Sequence, residues 1–186
     1  MTVLDFLRTL YVVDDELEHI FNSLNTTKEF EKGDIIFKPG QYLRHIYFIE
    51  SGFTRVYYHK GNKEITHCFF GQDTFCTGVE SVYYQKACLF GFQALSAARI
   101  TMIPFEPIRK FANSNITINR IIEKILLDNL IEFSKRFYNS QFETASERYA
   151  QLLLDNPELL QNASLGHIAS YLGVSQQTLS VIRGMK

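Results

Sequence analysis

Several features that place a chain in a specialised class are missing from these 186 residues. No run approaches the roughly 18 uninterrupted apolar residues of a membrane span, and residues 1–20 carry acids where a signal peptide needs a basic flank and an apolar core. The three cysteines, Cys68, Cys76 and Cys88, form no C-x-x-C pair, and their odd number argues against a disulfide framework. We therefore expect a protein of the reducing cytoplasm that has no membrane partner.

A strong net charge is also missing. The formal net charge is −1, and acids outnumber bases by one in residues 142–186. Proteins that bind nucleic acid nonspecifically usually carry a large positive excess, so any contact with nucleic acid must come from local placement of charges and dipoles. The apolar share of 46% with 21% charged residues is typical of a chain that folds around real cores.

The histidines show no metal-ligand spacing. His45, His59 and His67 form no H-x-H pair, and no carboxylate follows them at the spacing a barrel enzyme would use. Three dispersed cysteines also fall short of the four ligands of an iron-sulfur cluster. We predict no catalytic residue, no metal and no resident cofactor.

The hydrophobic period changes twice along the chain. Residues 1–26 have helical spacing, with Asp14 and Asp15 as candidate caps. From Lys28 to about Phe105, short β-branched and aromatic runs are separated by glycines, which is typical of an all-β barrel or sandwich; the runs are KGDIIF, HIYFI, GFTRVYY, EITHCFF, FGFQAL and RITMIP. KGN at 60–62 resembles a hairpin turn. Strands followed by helices predict an α+β fold.

A long helix is predicted from about Ile116 to Tyr138, because no glycine or proline interrupts it. Its apolar surface is broader than one packing seam needs, which favours simultaneous contact with its own barrel and with a second copy of the chain. The residues predicted to pair two copies are Ile118, Ile122, Leu126, Leu130 and Phe133. The alternative left open is a helix buried within one monomer.

Residues 165–183, LGHIASYLGVSQQTLSVIR, carry the strongest functional signal. A helix-turn-helix needs a small residue where its helices meet, a glycine in the turn and buried aliphatic residues on both sides, and Ala169, Gly173 and Val174 occupy those places. Ser175 can cap a second helix whose first turn enters the major groove. The predicted DNA-contacting residues are Ser175, Gln176, Gln177, Thr178, Ser180 and Arg183. A capped helical hairpin without a DNA role is the alternative.

With these segments in view, the chain resembles the Crp/Fnr family of bacterial regulators. The resemblance rests on KGDIIFKPGQYLRHIYFIESGFTRVYY, SERYAQLLLDNPELL and IASYLGVSQQTLSVIR. It implies a double-stranded β-helix, or jelly-roll, effector domain in residues 1–113, a dimerisation helix in 114–142 and a winged helix-turn-helix in 143–186. It also implies a homodimer on palindromic double-stranded DNA. Because the sequence stops at Lys186, we expect the wing to be short or absent.

Two departures from the family pattern change the expectation. Members that bind cyclic nucleotide pair its phosphate with an arginine, but no arginine lies between Arg55 and Arg99, so cyclic AMP is not the expected effector. The predicted effector pocket, suited to an apolar or aromatic ligand of unknown identity, comprises Phe75, Thr77, Gly78, Glu80, Lys86 and Cys88. In the reading helix, Gln176, Gln177 and Val181 favour a target rich in A·T steps.

A second function class fits the acidic balance of the C-terminal segment. In that interpretation the barrel binds a small ligand and the helical tail contacts another protein without touching DNA. Phosphate contacts make affinity fall steeply with salt, so a salt titration with random-sequence DNA separates the two classes.

Overall fold

The computed structural model describes residues 1–184, and its helices and strands alternate between a β-rich middle and helical ends. The elements in chain order are α1 Val3–Leu10, α2 Asp15–Leu24, β1 Thr26–Phe30, β2 Ile35–Phe37, β3 His45–Ser51, β4 Thr54–Lys60, β5 Lys63–Phe70, β6 Thr74–Cys76, α3 Val79–Tyr84, β7 Gly91–Ala94, β8 Ala98–Pro104, α4 Phe105–Ala112, α5 Ile116–Phe142, α6 Ala145–Asp155, α7 Leu159–Asn162, α8 Leu165–Leu172 and α9 Gln176–Gly184. Within residues 1–184, no helix is both long and apolar enough to cross a membrane. The predicted α+β class is confirmed; the last two residues of the predicted domain 143–186 lie outside the described part.

Two four-stranded sheets form the barrel. Their strand orders are β1-β8-β3-β6 and β2-β7-β4-β5, and every pairing in them is antiparallel. The hairpin predicted at residues 60–62 joins β4 to β5, where Gly61 has a positive φ of 60°. Inward-facing side chains from both sheets fill the space between them with aliphatic and aromatic groups, among them Phe37, Tyr47, Ile49, Val56, Phe92 and Ile100.

A helical layer covers one outer face of the barrel. Thr2 caps α1, and Asp14 caps α2 through a 2.8 Å bond from the Leu17 N–H, as the sequence predicted for Asp14. The apolar sides of α1, α2, α4 and the first turns of α5 form a second core against Phe48 and Ile103 of the barrel. This core anchors the beginning of the long helix.

Four elements were absent from the sequence prediction. β1 is largely exposed and carries no apolar alternation, and it forms only through its pairing with β8. The short strand β6 and the helix α3 lie in the segment assigned to a ligand pocket. Helix α4 accommodates Pro107 because a proline in the first turn loses no intrahelical hydrogen bond.

The C-terminal lobe, residues 145–184, packs α6, α7, α8 and α9 around a third core. Thr144 and Glu147 form a capping box at the start of α6. The lobe core is continuous with the barrel, because Phe53 and Leu95 of the barrel are buried among lobe residues such as Ile168. The lobe is therefore docked on the outer face of the second sheet.

Candidate nucleic-acid interface

Helices α8 and α9 are joined by a tight turn. The Ser164 hydroxyl caps α8 by accepting from the His167 N–H at 3.2 Å. Helix α8 ends at Leu172, and its C-cap Gly173 has a φ of +71°, in the left-handed region that favours glycine. The Val174 N–H then donates to the Ala169 carbonyl at 3.0 Å. Ser175 accepts from the Thr178 N–H at 3.0 Å, so the predicted Ser175 cap and the predicted turn glycine, Gly173, are confirmed.

Helix α9 buries one side and exposes the other. Leu179 and Ile182 enter the lobe core, with Leu179 completely buried. The side chains predicted to contact DNA are all exposed: Ser175, Gln176, Gln177, Thr178, Ser180 and Arg183. The Gln176 amide lies so close to Gly166 that a Cβ there would come within 2.9 Å of its nitrogen. The arrangement offers a polar surface of hydroxyls and amides followed by one cation.

The long helix α5 exposes an apolar surface beyond its first three turns. Leu126, Leu130, Phe133 and Phe137 recur in steps of four, three and four, and Leu130 and Phe133 are 58% and 56% exposed. Further exposed apolar side chains widen this surface: Leu127, Ile131, Tyr138 and Phe142. At about 100° per residue they span about half of the helix circumference.

Two residues predicted for pairing lie elsewhere. Ile118 is 1% exposed and Ile122 is half-buried, because the first turns of α5 pack against α1, α2 and α4 of the same chain. The series of apolar residues continues along α5, but only its first part packs against helices of the same chain. The apolar surface left open therefore begins at Leu126, a correction that the helical period alone did not indicate.

The six residues predicted to line an effector pocket do not share one face of the barrel wall, since Phe75 and Cys88 belong to different cores. Phe75 points away from the barrel interior and packs on Phe6 and Phe48, with ring centroids 5.8 and 4.8 Å away. Glu80 and Lys86 are exposed. This is a correction: the strand alternation of β6 sends Phe75 outward and Cys76 inward.

The other three predicted pocket residues serve packing and loop structure. The Thr77 hydroxyl donates to the His45 carbonyl at 3.0 Å. Gly78 lies against Cys88, whose Sγ would be 2.9 Å from an added Cβ. Burial raises the pKa of the Cys88 thiol and, more strongly, that of Cys76, so both remain protonated and unreactive near neutral pH.

A β-bulge in β5 connects the barrel to both helical parts. Val56 faces Cys68 and Tyr57 faces Thr66, so His67 is the extra residue and its neighbouring backbone groups are free of the ladder. The Thr66 N–H donates to the Ser170 hydroxyl of α8 at 3.1 Å. The His67 carbonyl accepts from the Arg136 guanidinium of α5. The bulge in β5 thus holds both the long helix α5 and the C-terminal lobe against the barrel.

Aromatic rings reinforce this contact. The Arg136 guanidinium carbon lies 4.9 Å from the centroid of the Tyr171 ring, and the Tyr171 and Phe69 ring centroids are 5.4 Å apart. Burial, with the nearby Arg136 charge as the second cause, lowers the pKa of His67 to about 4. His67 is therefore neutral near physiological pH.

A buried arginine lies on the barrel side of the same contact. Arg55 is 2% exposed, and its guanidinium donates to Gln93 at 2.8 Å, to Thr66 at 3.3 Å and to the carboxylate of Glu64. Residue 55 faces outward from the barrel because its neighbour Val56 faces inward. The buried charge is thereby paired and hydrogen-bonded, as a buried ion requires.

Sequence reasoning missed Arg55, Arg136 and Ser170. The run TRVYY is compatible with an exposed arginine, and nothing in it indicates that a helical lobe covers that face. A serine in the middle of α8 is equally unremarkable, since its role depends on a bulge in a strand about a hundred residues earlier. In the structure the contact appears as burial of the first four residues of β4, residues 54–57, on both faces of the strand.

Comparison with known proteins agrees with this architecture. Residues 27–115 match the family model described as "Cyclic nucleotide-binding domain". The chain is 25% identical to the Fumarate and nitrate reduction regulatory protein of Yersinia pestis, covering 92% of this chain and 72% of that protein. It is 27% identical to Regulatory protein HlyX of Actinobacillus pleuropneumoniae, covering 92% and 75%.

Solved structures show the same fold. FixK2 from Bradyrhizobium japonicum has a TM-score of 0.74 at 16% identity, covering 87% of this chain and 84% of that one. A putative transcriptional regulator of the crp/fnr family from Eubacterium rectale has a TM-score of 0.73 at 15% identity, covering 92% and 82%. These structures share with this chain a barrel followed by a long helix and a helical lobe. In its barrel sequence and in its overall fold, the chain is similar to proteins of the Crp/Fnr family.

Proposed function

We propose that this chain is a sequence-specific, DNA-binding transcription regulator that acts as a homodimer in the cytoplasm and whose barrel does not bind cyclic AMP. The observation that carries the proposal is the outer face of α9. Six polar or basic residues on a serine-capped helix are all exposed, while the opposite side is anchored by Leu179 and Ile182. Relatives named as regulatory proteins support the same conclusion.

The first turn of α9 would enter the major groove. Gln176 and Gln177 can each pair with the N6 and N7 edge of adenine through two hydrogen bonds, and Val181, which is exposed, can contact a thymine methyl group. Ser175, Ser180 and Thr178 can donate to phosphates or bases, and Arg183 adds a cation for the backbone. This set lacks a guanine-reading arginine in the first turn, so we expect an A·T-rich target.

Two copies would pair through the exposed apolar surface of α5. A monomer rarely leaves so many large apolar side chains open along one helix, and a second copy in two-fold symmetry covers the same surface on both. The two α9 helices would then lie about 34 Å apart and reach successive major grooves on one face of the DNA. An effector would act by changing how the helices pair.

The case against cyclic AMP rests on the segment 75–88. A cyclic phosphate in an apolar barrel needs a guanidinium, but the charged groups of this segment, Glu80 and Lys86, face solvent. Cys76 and Cys88 occupy the interior next to Tyr47. Equilibrium dialysis with cyclic AMP should show no saturable binding, and stoichiometric binding would refute this part of the proposal.

Selection of bound sequences from a random DNA pool tests DNA recognition. We expect enrichment of A·T-rich palindromes with half-sites about 10 base pairs apart, and an affinity that falls steeply as salt rises. Failure to enrich any sequence, together with no binding to random DNA at low salt, would favour the alternative in which the lobe contacts protein.

Leu130→Asp tests the dimer. Burying two carboxylates in a paired apolar surface is strongly unfavourable, so we expect monomers by sedimentation equilibrium and loss of specific DNA binding. Lys135→Asp introduces the same residue on another side of α5 and should leave the dimer intact. A monomer that still binds the selected DNA with unchanged affinity would contradict the homodimer model.

A further inference from the structure

A cleft of about 440 Å³ separates the barrel from the C-terminal lobe. It lies beside the contact between α8 and β5, and neither the predicted effector residues nor the exposed face of α9 lines it. Polar and charged side chains converge on it from both parts of the chain. The barrel contributes Lys32, Arg55, Glu64 and Gln93, and the lobe contributes Gln161, Asn162, Ser164 and His167.

The barrel wall of the cleft carries an excess of one positive charge. Lys32 and Arg55 stand against a single carboxylate, that of Glu64, whose side chain is 42% exposed. Arg55 is built in place: Gln93 accepts from its Nε at 2.8 Å and in turn donates to the Gly33 carbonyl at 3.0 Å. Within residues 1–184, its acceptors use three of the five guanidinium N–H groups.

The lobe wall carries an unsatisfied histidine. The Nδ1 atom of His167 is buried and has no hydrogen-bond partner among residues 1–184. Burial first, and then the nearby Arg55 charge, lowers the pKa of His167 to about 4 against the opposing effect of Glu64, so the ring is neutral near physiological pH. A buried ring nitrogen without a partner is unfavourable, which points to a polar group that enters the cleft.

The chemistry of these groups selects the occupant. Hydrogen-bond donors predominate: the Lys32 ammonium, the remaining guanidinium N–H groups of Arg55 and the Ser164 hydroxyl. The volume lies at the lower end of the range of small-molecule sites. A compact anion satisfies both the donors and the excess charge, whereas a cation would meet two positive groups and an apolar molecule would leave the donors unpaired.

We propose that the cleft between the barrel and the C-terminal lobe binds a small anion, a carboxylate or a phosphate, held by Lys32 and Arg55 on one side and by Ser164 and His167 on the other. Because the anion touches both parts, it stabilises the docked lobe. Its binding is independent of DNA; only its effect on DNA affinity rests on the proposed function.

Calorimetric titration of the full chain, without DNA and at constant ionic strength, tests the site. Inorganic phosphate and succinate are the probes, with sodium chloride as the matched salt. We expect saturable binding of at least one probe, and the stronger binder identifies which anion chemistry the site takes. In the same samples, the imidazole resonances of His167 should shift in proportion to occupancy.

Variants separate the cleft from general charge. Lys32→Gln should weaken binding about 10-fold, which corresponds to the loss of one charge-assisted contact, while Lys63→Gln, on the exposed β4–β5 hairpin outside the cleft, should not change it. His167→Phe places an apolar ring in the cleft and should abolish binding. Equal thermal unfolding midpoints for Lys32→Gln and Lys63→Gln show that both lysine variants are folded. No saturable binding of either probe, or equal affinities in the two lysine variants, overturns the proposal, whatever the DNA selection finds.

Discussion

The contact between the β5 bulge and Ser170 makes a prediction that can be worked out residue by residue. In Ser170→Ala the Thr66 N–H loses its only acceptor within the described chain, and Thr66 is 2% exposed, so water does not replace the hydroxyl. An unsatisfied buried donor costs about 1–3 kcal/mol. That penalty corresponds to a factor of about 5 to 150 in the local opening equilibrium, since 1.36 kcal/mol is tenfold.

Amide hydrogen exchange measures this directly. We expect the Thr66 amide to exchange about 5 to 150 times faster in Ser170→Ala, with smaller increases along α8 and little change in the N-terminal helices. Ser140→Ala is the matched control, because the Ser140 hydroxyl donates only to the Phe137 carbonyl of its own helix. An unchanged Thr66 rate in Ser170→Ala, with the control also unchanged, would refute the docking of α8 on the bulge.

Three further predictions follow from other contacts. Gly52→Ala should lower the free energy of unfolding by more than 3 kcal/mol in urea titrations, because φ is +97° and the new Cβ would lie 2.5 Å from the Ala97 carbonyl oxygen. Gly40→Ala, where φ is +87° but no atom lies near the new Cβ, should lower it by about 1 kcal/mol. Equal losses in the two variants would contradict the steric argument. His67 and His167 both have a pKa lowered to about 4, below the unfolded value of 6.5, so stability should be full above pH 6.5 and fall as pH drops towards 4; a urea midpoint that stays constant over that range would be inconsistent with buried neutral rings. Arg183→Gln should reduce the salt slope of DNA binding by about 1 without changing the selected sequence, and an altered sequence preference would assign Arg183 to base recognition instead.

The features that the sequence predicted correctly depend on residues that are near one another in the chain. Asp14 and Ser175 cap helices through bonds to residues three positions later, and Gly173 adopts the left-handed conformation that the turn after α8 requires. Helix caps and turns of this kind are determined by a few neighbouring residues, so they can be predicted without knowledge of the tertiary fold.

The features that the sequence did not reveal depend on distant partners. Ile118 and Leu130 are both branched aliphatic residues of the same i, i+4 series in α5, yet one is buried by the N-terminal helices and the other is exposed. Phe75 was assigned to a pocket because its segment corresponds to the effector-binding segment of the family that the chain resembles, although the alternation of β6 sends it outward. A period locates an apolar face but does not identify what covers it.

The barrel's half of the β5 contact consists of main-chain atoms. Every amino acid has a backbone carbonyl, and every amino acid except proline has a backbone N–H. Side-chain replacement at residues 66 and 67 therefore keeps both hydrogen-bonding groups of the barrel, unless proline is placed at residue 66. Point substitutions can therefore weaken these two hydrogen bonds only at Ser170 and Arg136. Deletion of one residue, so that β5 pairs regularly with β4, would remove both hydrogen bonds at once.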